Sequence, residues 1–122
     1  MEWNFNNDMP IYTQIMDHIK LAIASGQLLP GGHMATVRDM AQEAGVNPNT
    51  MQRALSELER KGLVYTNRTS GRFVTEDAQV IDMAKNEMAG EYIRSFRSSM
   101  NKLGYTDREI IDLLKAEQKE EN

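Results

Sequence analysis

The sequence predicts a mainly α fold with a small β-hairpin wing: a winged helix-turn-helix domain followed by a short two-helix dimerisation tail. Three observations carry this. Two short helical periods, 36–44 and 47 onward, are separated only by a turn at Gly45. Two β-prone segments, LVYT and RFVT, follow the second of these helices directly and flank NRTSG. Beyond them the period returns to that of a helix and stays there, so the division expected is 1–75 for the winged unit and 76–122 for the helical region.

Residues 1–7 show no periodicity and read as an arm. Asp8 is positioned to cap a helix beginning near Pro10, in which Ile11, Ile15, Ile19, Ala22 and Ile23 form one apolar stripe. Gly26 ends it, and QLLPGGHM is a loop imposed by Pro30, Gly31 and Gly32. Met34 and Ala35 suit a very short strand. Thr36 is the next N-cap, with Asp39 three residues on as a shortened capping box, and Val37, Met40, Ala41 and Ala44 repeat at helical spacing.

The stretch from Ala44 to Gly62, AGVNPNTMQRALSELERKG, is the one around which the rest is organised. Asn47 is a good N-cap and Pro48 stands at the first helical position, where its missing N–H costs nothing. Met51, Ala54, Leu55 and Leu58 form the apolar back, and Asn49, Arg53 and Ser56 begin the front. No Asp or Glu occurs from Ala44 to Ser56. A short helix, a tight turn and a second helix with a polar, cationic front form the helix-turn-helix pattern, which places its second helix in the major groove of DNA. A plain helical hairpin gives the same spacing.

The hairpin after Gly62 is then the wing. Its tip carries Arg68, Thr69, Ser70 and Arg72, residue types that suit phosphate or minor-groove contact, with Gly71 available for positive φ. An ordinary exposed hairpin tip has the same composition. From Glu76 to the end two helices follow. Ile81, Ala84, Met88, Tyr92, Phe96 and Met100 recur at steps of three and four, Gly104 interrupts, and Thr106 with Glu109 makes a capping box ahead of Ile110, Ile111, Leu113 and Leu114. A helix pair of this size buries little by itself, so the stripe needs a partner surface, either the winged helix or, the reading favoured here, a second copy of the chain. Ile81, Ala84, Met88, Tyr92, Phe96, Ile110 and Leu114 are the residues expected at a dimer interface, because readers of this size use two half-sites.

Composition narrows the function. The 122 residues carry a net charge of −4, and none is cysteine, which removes disulfides and thiolate metal sites. No apolar run is long enough to span a bilayer, and MEWNFNNDMP lacks the regions of a signal peptide, which together favour the cytoplasm. The charge is divided: six bases face four acids from Thr36 to Val74, whereas seven bases face eleven acids from Glu76 onward. The acidity therefore belongs to the tail. His18 and His33 are far apart with no ligand-type spacing, and no nucleophile triad, paired-acid motif or phosphate loop is present, so neither metal nor cofactor nor enzymatic activity is expected.

Taken in order, Pro10-Ile-Tyr-x-Gln-Ile15, Gly26-x-Leu-x-Pro-Gly31, Val37-Arg38, Val46-Asn-Pro-Asn-Thr50, Arg53-Ala54, Leu58-Glu59, Gly62-Leu63 and Gly71-x-Phe-Val74 resemble the winged-helix domain of GntR-type bacterial transcription regulators. The short acidic helical tail resembles the YtrA-type subfamily. The resemblance implies a cytoplasmic homodimer on a palindromic operator of double-stranded DNA, often a repressor and often near transporter operons; it names no small-molecule effector. Carried over, Arg38 matches the DNA-contacting arginine at the start of the second helix, Asn47, Asn49, Thr50 and Gln52 match the DNA-facing start of the recognition helix, and Gly71 matches the wing-tip glycine. Two departures stand out: Met34-Ala35-Thr36 replaces the common Leu-Pro-Ser, and Arg68-Thr-Ser-Gly71 lacks the double-glycine tip. Thr36 retains a hydroxyl that can cap the helix and donate to phosphate.

The residues also suggest how reading would work. Arg38 and Arg53 suit bidentate pairing with guanine, and Asn49 and Gln52 suit adenine. Simpler roles stand beside these: an i,i+4 pair with Glu57 for Arg53, a surface ion pair for Arg38, and capping alone for Asn47 and Pro48. Two other functions fit the same chain: a winged helix that binds protein rather than DNA, and a regulator gated by a small ligand held near Met88, Tyr92 and Phe96.

Overall fold

Helix α1, Ile11–Ala24, opens the ordered core, burying Ile15, Met16, Ile19, Ala22 and Ile23 along the expected stripe. The computed structural model describes residues 1–121. After α1 come α2, Val37–Ala44; α3, Pro48–Arg60; a hairpin of β1, Val64–Asn67, and β2, Gly71–Val74; α4, Ala78–Lys102; and α5, Asp107–Glu121. The mainly α class with a β-hairpin wing is therefore the observed architecture.

The chain divides into two compact units, Met1–Lys85 and Asn86 onward. In the first, α3 packs against α1, α2 and β1. Met51, Leu55 and Leu58 of α3 are fully buried beside Ile15 and Ile19 of α1 and Val64 and Val74 of the wing. Each such side chain contributes about 1.5–3 kcal/mol of apolar burial, which locks α3 in place by its back and leaves its front in solvent. Asn47 and Pro48 start α3 as expected, and Gly45 takes the left-handed conformation (φ 71°) that lets α2 turn into α3 within three residues.

Four local expectations need correction. Residues 1–7 are not a free arm: Met1, Trp3 and Phe5 pack against the core. Trp3, Phe5 and His18 form an aromatic cluster with centroids 5.4–6.1 Å apart, and the His18 Nε2 lies 2.9 Å from the Asn4 carbonyl. Apolar residues at alternate positions 1, 3 and 5 are the signal. Asp8 does not cap α1; Pro10 is the N-cap residue and supplies no side-chain bond. The buried Gln14 secures this end instead, donating to the carbonyls of Asn6 (2.9 Å) and Met9 (2.8 Å) and accepting from the Asn6 N–H (2.9 Å). The wing strands run one residue away from the expected segments, with Leu63 and Thr75 flanking the ladder. The register is Val64 with Val74, Tyr65 with Phe73, Thr66 with Arg72 and Asn67 with Gly71. Met34 and Ala35 form no strand; His33 adds a single rung opposite Phe73, with the Met34 N–H donating to the Arg72 carbonyl (2.9 Å) and the Val74 N–H to the Gly32 carbonyl (2.9 Å).

The start of α4 belongs to the first unit. Ile81 and Ala84, expected at a dimer interface, pack with Val80 against the core of the first unit. The compact units divide inside α4, between Lys85 and Asn86. In the second unit Gly104 separates α4 from α5, and the capping box forms in both directions: the Thr106 N–H donates to Glu109 Oε1 (3.0 Å) and the Glu109 N–H to Thr106 Oγ1 (3.2 Å). The Thr106 N–H, joined by the Thr106 hydroxyl donating to the same oxygen (3.0 Å), holds the Glu109 carboxyl below its usual range. Arg97 spans the break to Asp107 at 2.6 Å.

Candidate nucleic-acid interface

The helix-turn-helix builds its exposed front from local capping. The Thr36 hydroxyl oxygen accepts the Asp39 N–H (3.1 Å), which fixes the start of α2 and leaves the hydroxyl proton to donate outward. Arg38, one residue into α2, is exposed and has no ion pair among the described residues, so the surface pair considered for it does not form. The Asn47 side-chain oxygen accepts the Asn49 N–H (2.8 Å). Capping thus occupies the acceptor of Asn47 and leaves its amide donors for a ligand. Asn47 also takes up the first N–H groups of α3, since its carbonyl accepts from Thr50 (3.0 Å) and Met51 (3.1 Å); with Pro48 at the first position and no acid in the first turn, the positive end of the helix is unopposed by acid.

Along that face Asn49, Gln52 and Arg53 are exposed and Thr50 is half-buried. Gln52 donates to the Ser56 hydroxyl at 3.0 Å, a bond along the helix that holds it extended. Arg53 does not pair with Glu57. The Glu57 carboxylate accepts from Arg60 instead, at 2.8 Å to Nη2 and 3.2 Å to Nε, and the Arg60 hydrogen bond holds the Glu57 carboxyl below its usual range. Arg53 lies over the ring of Tyr12, with its guanidinium carbon 3.8 Å from the centroid. The acids of α3 are thereby drawn to its second half, away from the front.

The wing is more sharply differentiated than its sequence suggests. Arg68 and Ser70 are exposed at its tip. Asn67 shapes the turn by accepting from the Thr69 N–H (3.0 Å) and hydroxyl (2.9 Å). Gly71 has φ 104°, and a Cβ there would meet His33 Nε2 at 2.9 Å, so glycine is required on both counts. Arg72 differs from Arg68: it shares a strand face with Val74, is half-buried, and its Nε is shielded from solvent with no hydrogen-bond partner. Its terminal guanidinium nitrogens are the part left to reach outward.

Two residues that position this surface were not singled out in the sequence. Tyr12 sits 41 positions from Arg53 and only the packing of α1 on α3 brings them together. His33 donates to the Ser70 carbonyl (3.0 Å) and packs edge-on against Phe73, which stacks on Tyr65. It ties the wing tip to the segment before α2. A histidine in a Gly-Gly-His-Met loop carries no signal for that role.

The tail residues separate in the same way. Ile110 is buried and Met88 is half-buried, whereas Tyr92, Phe96 and Leu114 are exposed at 61%, 42% and 53%. A groove of about 460 Å³ lies on α4, lined by Arg94, Arg97, Ser98, Asn101 and Lys102. It is open, and it lies on residues other than the Met88, Tyr92 and Phe96 stripe.

Residues 11–74 match the family of bacterial regulatory proteins, gntR family. The chain belongs to the GntR family. It is 40% identical over 115 residues, 94% of this chain and 95% of the other, to the uncharacterized HTH-type transcriptional regulator YhcF of Bacillus subtilis. It is 39% identical over 70 residues to the HTH-type transcriptional repressor YtrA of the same organism, covering 57% of this chain and about half (54%) of that one, which supports the YtrA-type subfamily. Among solved structures, a GntR family transcriptional regulator from Listeria monocytogenes superposes with TM-score 0.85 at 38% identity, over 92% of this chain and 98% of that one. The DNA-binding domain of AraR in complex with operator ORX1 superposes with TM-score 0.57 at 29% identity, over 62% of this chain and 96% of that one. The chain is thus a DNA-binding transcription regulator of the GntR family and not an enzyme. None of its helices is long and apolar enough to cross a membrane, among the described residues.

Proposed function

We propose that this regulator is a cytoplasmic repressor that binds a palindromic operator as a homodimer, and that the genes it controls include a transporter operon. The observation that carries this is the front of α3: Asn49, Gln52 and Arg53 stand exposed on an acid-free surface, with Arg38 unpaired at the start of α2. In this reading Arg38 and Arg53 pair with guanine edges and Asn49 and Gln52 with adenine, each good bidentate pair discriminating by roughly 1–3 kcal/mol. Thr36, Asn47 and Thr50 take phosphate and set the register, with the positive end of α3 behind them. Arg68, Ser70 and Gly71 bring the wing tip to the backbone, with Arg72 reaching it by its terminal nitrogens.

The repressor role follows YtrA, whose name records repression. The AraR DNA-binding domain, of matching fold, is bound to an operator in its crystal structure, which supports operator binding here. Dimerisation rests on the exposed side chains of the tail, Tyr92, Phe96 and Leu114, which a second copy would cover.

A gel-shift titration with DNA from upstream of the chain's own gene, at several salt concentrations, tests the reading. The expected result is a discrete shift that outlasts competitor DNA and weakens steeply with salt. Absence of a sequence-specific shift at every fragment would instead favour a winged helix that binds protein.

A further inference from the structure

We infer that Tyr12, on α1, is a positioning residue for base reading: it holds the Arg53 guanidinium in the orientation from which that group meets DNA. The inference rests on the proposed role of Arg53 as a base-contacting residue. Its observation is separate: the Arg53 guanidinium carbon lies over the Tyr12 ring, 3.8 Å from the centroid.

The chemistry of the contact suits the role. A guanidinium stacked on a ring engages through its π face, while its five N–H donors lie in its own plane. Bidentate pairing with guanine O6 and N7 is also made in that plane. Stacking and reading therefore use different parts of one group, and Tyr12 can hold Arg53 without competing for its donors. Those donors are free: no protein acceptor among the described residues takes a hydrogen bond from Arg53, and the carboxylate within reach on its helix, Glu57, is engaged by Arg60. The ring itself is fixed, since Tyr12 is half-buried and packed against the core of the first unit. A free arginine loses rotamer freedom on binding; one already laid on an aromatic ring has lost much of it beforehand. The stack also draws Arg53 toward α1, which selects the side of α3 on which it reads.

The test uses the full chain, as wild type, Y12F, Y12L, R53A and the double variant Y12L/R53A. Each is titrated against the selected operator and its single-base variants, with thermal unfolding as a control. Phenylalanine keeps the aromatic face, and leucine keeps apolar bulk without it. Y12L is expected to lose about two- to fivefold in affinity, the size of an exposed cation–π contact, confined to the base position that R53A relaxes. Y12F should keep the wild-type base preference, and Y12L/R53A should bind like R53A. Equal loss on every base variant would overturn the positioning role, as would a further loss on the R53A background. If R53A relaxes a position and Y12L does not, only the role of Tyr12 fails. If R53A leaves base preference intact, the reading of Arg53 fails and the inference with it. Should Y12L not fold, Y12M carries the same comparison.

Discussion

The two compact units use similar apolar content in opposite ways. Residues 1–85 close a core of their own around Ile15, Ile19, Met51, Leu55, Leu58, Val64 and Val74. From Asn86 onward, Ile110 is the hydrophobic side chain buried among the described residues, and Tyr92, Ile93, Phe96, Leu103, Ile111 and Leu114 are exposed. A winged helix has elements crossing at several angles, so each helix finds another to cover its stripe. Two helices joined by a short turn at Gly104 cannot by themselves cover both of their apolar faces. The first unit is therefore built to be rigid and to present a polar front. The second is built to present an apolar one.

Four perturbations can break or sharpen that contrast. Placing charge on the exposed stripe, with Y92E and F96E together, is expected to give a folded monomer by sedimentation and to lower operator affinity by about 10²-fold or more, since the second half-site is no longer tethered to the first. An unchanged dimer would mean that the tail is not the interface. Because Ile81 and Ala84 belong to the first core, a truncation meant to test the same point should end after Lys85 and not before Ala78.

Next in size, L55A in the first core is expected to cost about 2–5 kcal/mol in chemical denaturation. L114A in the charged monomer should be nearly neutral, because that side chain is already in water. Comparable losses would show that the tail has a core after all. Removing the α2 cap with T36A is expected to cost about 1 kcal/mol, read as a lower midpoint of thermal unfolding, and to weaken DNA binding without changing base preference.

The smallest expected effect is electrostatic. The Arg97 hydrogen bond holds the exposed Asp107 carboxyl below the usual aspartate range. A depressed carboxylate stabilises the folded state above its unfolded pKa, and that contribution disappears as the pH falls through the folded value. The α4–α5 junction should thus be insensitive to pH near neutrality and loosen only at pH below about 4. Carboxyl NMR titration of the wild type, with D107N as the variant lacking the transition, checks the sign.

Most of the local structure was legible because short-range chemistry decides it. Thr36, Asn47, Pro48, Gly45 and the Thr106–Glu109 box are read from neighbours three or four positions away, and each does what its spacing implies. The apolar back of α3 is equally local. Contacts between distant segments were not legible. Gln14 holding Asn6 and Met9, His33 holding the wing tip, and Arg53 on Tyr12 each need the fold before the partners can be named. Arg60 rather than Arg53 is the partner of Glu57, and Arg53 lies over Tyr12 instead. Ile81 and Ala84 share a helical stripe with Tyr92 and Phe96, and periodicity cannot tell which part of a long helix lies over a core.

Selection of bound sites from fragmented genomic DNA, run in parallel with the wild type and R53A, tests the central claim most directly. The account predicts a two-fold symmetric motif for the wild type, with half-sites about one helical turn apart, and the same motif with one relaxed position per half-site for R53A. Recovery of no motif, or of one motif unchanged by R53A, would contradict it.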